Sequence, residues 1–189
     1  MLERRAAMAA LVAGRGDLLI VPGLGSTTWD LAAAGDDPRN FYLWGAMGGA
    51  AMIGLGLALA QPQRRVAVIT GDGEMLMGLG SLATIGIKRP GNLAVIVFDN
   101  GVYGETGMQP SHTRSGVDLM AVAAACGFPK CCDVRDEAGL GALAARIKTF
   151  DETLFARVLI APEEPPRVLP LRDGIELKNR FRATLGLKA

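Results

Sequence analysis

Residues 65 to 74 read R-V-A-V-I-T-G-D-G-E, and the way this stretch folds decides the rest. Val66 to Thr70 lacks polar alternation, so it reads as a strand buried on both faces, as in parallel sheets covered by helices. The strand runs into a carboxylate, Asp72, set between Gly71 and Gly73. A side chain there has little room for water, and an uncompensated buried carboxylate is costly, so the position calls for a cation.

Working outward, further apolar runs recur at 17–21, 41–44, 93–98 and 154–160, with a shorter one at 132–134. Helical patterning predicts helices over about 3–13, 27–34, 47–60, 75–87, 117–126 and 137–149. Strands alternating with helices predict a three-layer α/β/α fold around a mostly parallel sheet. Residues 1–161 read as one ligand-binding domain. Residues 162–189 read as an arm, opened by the proline-rich APEEPPRVLPLR (161–172), and a last amphipathic helix near 173–186.

The 189 residues suffice for one domain with a real core, and half of them are hydrophobic. A net charge of +1 gives no electrostatic case for nucleic acid. Cys126, Cys131 and Cys132 lie close together, but His112 is the only histidine and no C-x-x-C exists, so a zinc site is unsupported. They read as reduced thiols of a cytoplasmic protein. Phe41 to Ala60 is a stretch of twenty residues without charge, but it contains five glycines. It reads as a helix packed against the sheet or a partner subunit rather than a membrane span.

Twenty-five residues separate Gly73 from Asp99-Asn100, which ends another apolar run. That interval holds one helix and one strand, a single βαβ crossover, so the two strand ends should lie close together. In parallel sheets ligands bind at the carboxyl ends of strands. P-G-L-G-S (22–26), G-D-G (71–73) and D-N-G (99–101) are therefore expected to form one site. The side chains of Asp72 and Asn100 and a loop carbonyl offer hard oxygens, a partial shell for Mg²⁺ that phosphate oxygens and water would complete. Gly71, Gly73, Gly101 and Gly104 let backbone N–H groups approach a diphosphate, and a helix starting near Glu74 would point its N-terminus at the same anion.

G-D-G followed at this spacing by a strand-ending Asn resembles the cofactor-binding signature of thiamine diphosphate enzymes. The resemblance covers their diphosphate-binding domain. It implies thiamine diphosphate and Mg²⁺ as cofactors, with Asp72, Asn100 and the Val102 carbonyl as metal ligands. Gly71, Gly73, Glu74, Tyr103 and Gly104 would contact the cofactor, Glu74 through its backbone with its carboxylate turned away. L-W-G-A-M-G (43–48) resembles the segment whose bulky residue sits beneath the cofactor. Met47 would then bend it and Gly45 receive its amino group, beside Ala46; the alternative is that Met47 is ordinary core. G-L-G-S-T-T-W (23–29) resembles the loop over the diphosphate, with Gly25 and Ser26 as contacts.

D-N-G-V-Y-G-E-T-G-M-Q-P-S-H-T (99–113) is similar to the β subunit of sulfopyruvate or phosphonopyruvate decarboxylase among two-subunit members. The implied activity is decarboxylation of a small 2-oxoacid to an aldehyde. Glu105 stands where the family often has a small residue. It would alter which acid is accepted, assist protonation, or be a surface charge. His112 would contact substrate, relay a proton, or be structural. The family's activating glutamate belongs to a pyrimidine-binding domain, for which this sequence has no room, so a partner α subunit is expected to supply it. Another split thiamine diphosphate enzyme, such as an acetolactate synthase-like ligase, and a non-catalytic cofactor-binding module remain as alternatives.

Overall fold

The computed structural model describes residues 1–188. Five parallel strands form the central sheet: β1 (Leu19–Pro22), β2 (Val66–Gly71), β3 (Leu93–Asp99), β6 (Lys130–Val134) and β7 (Leu154–Leu159), in the order β1-β2-β3-β7-β6. The fold is α/β, as expected. Successive residues of each strand serve opposite faces. Ala67 and Ile69 of β2 join Met8, Leu11, Leu31, Leu140 and Leu143, from α1 (Arg4–Val12), α2 (Ser26–Ala33) and α7 (Glu137–Arg146). Val66 and Val68 join Leu55, Met75, Leu82, Ile85 and Ala123, from α3 (Ala50–Ala60), α4 (Asp72–Met77), α5 (Ser81–Lys88) and α6 (Leu119–Ala125). The strands are continuous apolar runs because both faces are covered.

Three expectations are corrected and one unassigned segment is resolved. Residues 41–44 do not form a strand. The chain touches β1 at one bridge, Ile20 with Asn40, and then turns away, because Trp44 stacks on Trp29 and donates to the Leu171 carbonyl. The helix expected over 47–60 begins at Ala50, which leaves Gly45 and Gly49 outside it. The helix expected over 75–87 is two helices that begin at Asp72 and break between Met77 and Ser81. At the break the Gly78 and Gly48 backbones touch, a contact with no room for a side chain at Gly78. Residues 101–111, unassigned in the sequence reading, form a hairpin in which β4 (Val102–Tyr103) pairs with β5 (Gln109–Pro110) around a short 3₁₀ turn.

Past β7 the proline-rich arm is tied down along its length. Arg4 donates to the Glu163 carbonyl, Arg5 to the Pro166 carbonyl, and Arg167 pairs with Glu105 at 2.9 Å. It leads into α8 (Gly174–Thr184), whose Leu177 and Phe181 are buried on opposite sides of the sheet. No helix among the described residues is long and apolar enough to cross a membrane.

Candidate functional site

The carboxyl ends of β1, β2 and β3 open into one cavity of about 190 Å³. Its walls include Ser26, Met47, Gly71, Asp72, Gly73, Glu74, Asn100, Val102, Tyr103, Gly104 and Glu105. These three strands are neighbours and parallel, so loops far apart in sequence meet there.

Asp72 is 2 % exposed and begins α4. Its Oδ2 accepts from the Ser111 hydroxyl and lies 3.2 Å from Thr113 Oγ1. Thr113 Oγ1 also donates to Oδ1 of Asp99 at 2.8 Å. Burial, opposed by the Ser111 hydrogen bond and reinforced by the Asp99 charge, pushes the Asp72 carboxyl above its ordinary value. No Lys, Arg or His among the described residues forms a salt bridge with Asp72 or Asp99. Asn100 Oδ1 accepts from the Val102 N–H at 3.0 Å, which fixes the turn carrying the Val102 carbonyl. No three His, Cys, Asp or Glu side chains among the described residues converge as a metal cluster. The oxygens on offer are those of one carboxylate, one amide and main-chain carbonyls, which suits a hard cation that keeps other ligands of its own.

Glu74 points elsewhere. Its Oε2 accepts from Thr70 Oγ1 and from the Leu24 N–H, both at 2.8 Å. Burial raises its carboxyl above the usual range. Gly23 permits this, because a side chain at that position would overlap the Glu74 carboxylate. Gly73 makes comparable room, since a Cβ there would lie 2.6 Å from the Tyr103 ring. The Tyr103 hydroxyl meets His112 Nδ1 at 3.1 Å.

Met47 is 39 % exposed and reaches the cavity from a turn in which Ala46 (φ 59°) and Gly48 (φ 89°) are both left-handed. A left-handed alanine costs about 1–2 kcal/mol, so that turn is held by its surroundings. Gly45 and Ala46 are exposed beside it and do not line the cavity. Gly25 lies beneath Glu105 at the edge of the cavity. Glu105 accepts from Trp29 Nε1 at 3.1 Å and pairs with Arg167, so its carboxylate is engaged on both oxygens. His112 is exposed and outside the cavity wall.

The sequence reading assigned nothing to Ser111, Thr113, Trp29, Arg4 or Arg167. Ser111 and Thr113 lie within the Q-P-S-H-T stretch, but only the hairpin returns them to Asp72. Arg4 lines the cavity from α1 while paired with Asp30 at 2.5 Å.

Comparison with known proteins agrees with this geometry. The family described as thiamine pyrophosphate enzyme, C-terminal TPP binding domain, matches residues 24–157. A phosphonopyruvate decarboxylase of Streptomyces viridochromogenes is 43 % identical over 174 residues, covering 88 % of this chain and 42 % of the relative. The sulfopyruvate decarboxylase subunit beta of Methanothermobacter thermautotrophicus is 39 % identical over 181 residues, covering 96 % of this chain and 94 % of the relative. The chain thus spans less than half of the first relative and nearly all of the second. Among solved structures, benzoylformate decarboxylase from Polynucleobacter necessarius superposes with a TM-score of 0.67 at 20 % identity, over 86 % of this chain and 34 % of that one, a likeness of fold.

Proposed function

Because the chain belongs to the thiamine pyrophosphate enzymes, as their C-terminal cofactor-binding domain, we propose that it is the diphosphate-binding subunit of a two-subunit, Mg²⁺-dependent 2-oxoacid decarboxylase. The sulfopyruvate or phosphonopyruvate type is favoured by the named activities of the relatives at 39–43 % identity. The single observation that carries the reading is Asp72, a buried carboxylate facing the cavity that accepts from a hydroxyl and forms no salt bridge among the described residues, the Arg4 guanidinium in the same wall being paired with Asp30. A divalent ion would supply the missing charge.

Asp72, Asn100 and the Val102 carbonyl would hold Mg²⁺. Ser26, backbone groups of Gly71 and Gly73, and Gly104 would receive the diphosphate. When bound, thiamine diphosphate supplies an electron sink that lets a 2-oxoacid lose CO₂. Met47 would support the cofactor from below, from its strained turn. Tyr103 closes one wall over Gly73. Glu105 shapes the rim, and its two partners favour a specificity role over proton transfer.

The partner is argued from size and surface. The cavity, at about 190 Å³, is below the roughly 300–1,000 Å³ of pockets that enclose a drug-sized ligand. Met47, Met52, Leu59 and Met77 are exposed large apolar residues, and α3 carries no charge. That face suits a pyrimidine-binding α subunit bringing the activating glutamate. The free cysteines suit a reducing, cytoplasmic setting.

Calorimetry of the full chain with thiamine diphosphate and Mg²⁺, with and without the partner subunit, tests the reading. Metal-dependent binding that Asp72→Ala abolishes is the expected result. Binding that survives Asp72→Ala overturns the metal assignment. Binding without 2-oxoacid turnover in the assembled pair would favour a non-catalytic module instead.

A further inference from the structure

The hydroxyls behind Asp72 are wired in a way the proposed cofactor chemistry does not require. Ser111 is buried, and its backbone N–H donates to the Gly101 carbonyl at 2.8 Å, next to Asn100. Its hydroxyl donates to Asp72 Oδ2 and lies 2.9 Å from that of Thr113. Thr113 in turn touches Asp72 Oδ2 at 3.2 Å and Asp99 Oδ1 at 2.8 Å. Neither residue lines the cavity, so both reach Asp72 from behind.

Proton counting sharpens the point. Two hydroxyls carry two protons, yet they make three contacts to carboxylate oxygens and one to each other. Both carboxylates receive a proton only if Ser111 donates to Asp72 and Thr113 to Asp99. This arrangement ties the head of α4 to the end of β3, the two places that carry the proposed side-chain metal ligands Asp72 and Asn100. It also occupies one oxygen of Asp72 and leaves the other free. A carboxylate with both oxygens unrestrained would have to be ordered by the incoming ion.

We propose that Ser111 and Thr113 are positioning residues for the cation site: their hydroxyls fix the rotation of Asp72 and its separation from Asn100, and so set metal affinity. The inference rests on the proposed function, in which Asp72 faces a divalent cation. Partners that orient a metal ligand typically carry about 10- to 100-fold in metal affinity.

The test titrates Mn²⁺ into the full chain at saturating thiamine diphosphate, read by electron paramagnetic resonance, with thermal midpoints recorded in parallel. Thr113→Val keeps the side-chain shape, and it and Ser111→Ala are each expected to raise half-saturating Mn²⁺ on the order of 10-fold. Thr113→Ser and Ser111→Thr, which restore a hydroxyl, should return it to within about twofold of wild type. A merely structural role would lower the midpoint and leave half-saturation unchanged; that result overturns the inference and leaves the site reading standing. If Ser111→Ala fails to fold, Thr113→Val decides alone. A wild-type chain that binds no Mn²⁺ overturns the site reading itself, and the inference with it.

Discussion

Asp30 on α2 and Asp72 at the head of α4 are both buried, yet Asp30 meets the guanidinium groups of Arg4 and Arg5 while Asp72 meets two hydroxyls. Away from the cavity, Asp37 and Asp133 follow the Asp30 pattern. Asp37 has Arg15 and Arg39, and Asp133 has Arg135 and Arg157. At the cavity, Asp72 and Glu74, and behind it Asp99, accept hydrogen bonds only from neutral donors among the described residues. The first group is neutralised within the chain and serves the fold. Of the second, Asp72 faces the cavity with no salt bridge among the described residues, so its charge is left to be balanced from outside, the cost a functional site carries.

The contrast can be broken most severely at Asp30. Asp30→Ala strands Arg4, which is 5 % exposed, without its partner. Urea unfolding should show a loss of about 3–5 kcal/mol. Gly23→Ala probes the tight packing around Glu74, and overpacking there should cost about 1–3 kcal/mol by the same measurement. Asp72→Asn should do the opposite: removing a buried, unneutralised charge is expected to raise metal-free stability by about 0.5–2 kcal/mol while abolishing metal-dependent cofactor binding. A loss of stability in that variant would erase the distinction drawn here.

Acid titration sharpens it further. Hydrogen bonding from Arg39 holds Asp37, and from Arg157 holds Asp133, below the ordinary carboxylate range. Their stabilisation is present above the unfolded value of about 4 and is lost as pH falls through the folded one. Burial raises Asp72 and Glu74, so their charge opposes folding at neutral pH and ceases to do so once they are protonated. The stability advantage of Asp72→Asn should therefore shrink as pH falls through the raised folded value and vanish below the unfolded value of about 4, as followed by thermal midpoints. The smallest effect belongs to Asp133→Asn. Its partly exposed pairs should contribute less than about 1 kcal/mol, diminishing in high salt.

Much of this was legible in the sequence, for identifiable reasons. Val66–Thr70 and Leu93–Phe98 are too uniformly apolar to be anything but covered strands, and the Asp72 and Asn100 turns follow from where they end. The Glu74 carboxylate is held by the Leu24 N–H beside Gly23. What failed was long-range. Nothing local in 41–44 reveals that Trp44 prefers Trp29 and the Leu171 carbonyl to a place in the sheet. The break after Met77 depends on contact with Gly48, thirty residues earlier. Glu105 has no sequence neighbour that announces Arg167 or Trp29. Ser111 and Thr113 escaped notice because hydroxyl residues in a loop carry no periodic signal.

The left-handed alanine before Met47 has a consequence for timing. Alanine disfavours the left-handed conformation at 46 and glycine at 48 has the most freedom to lose, so the surrounding packing selects this turn as the chain folds. The turn's loss of freedom belongs to the folding equilibrium, and association at that surface meets a template already set.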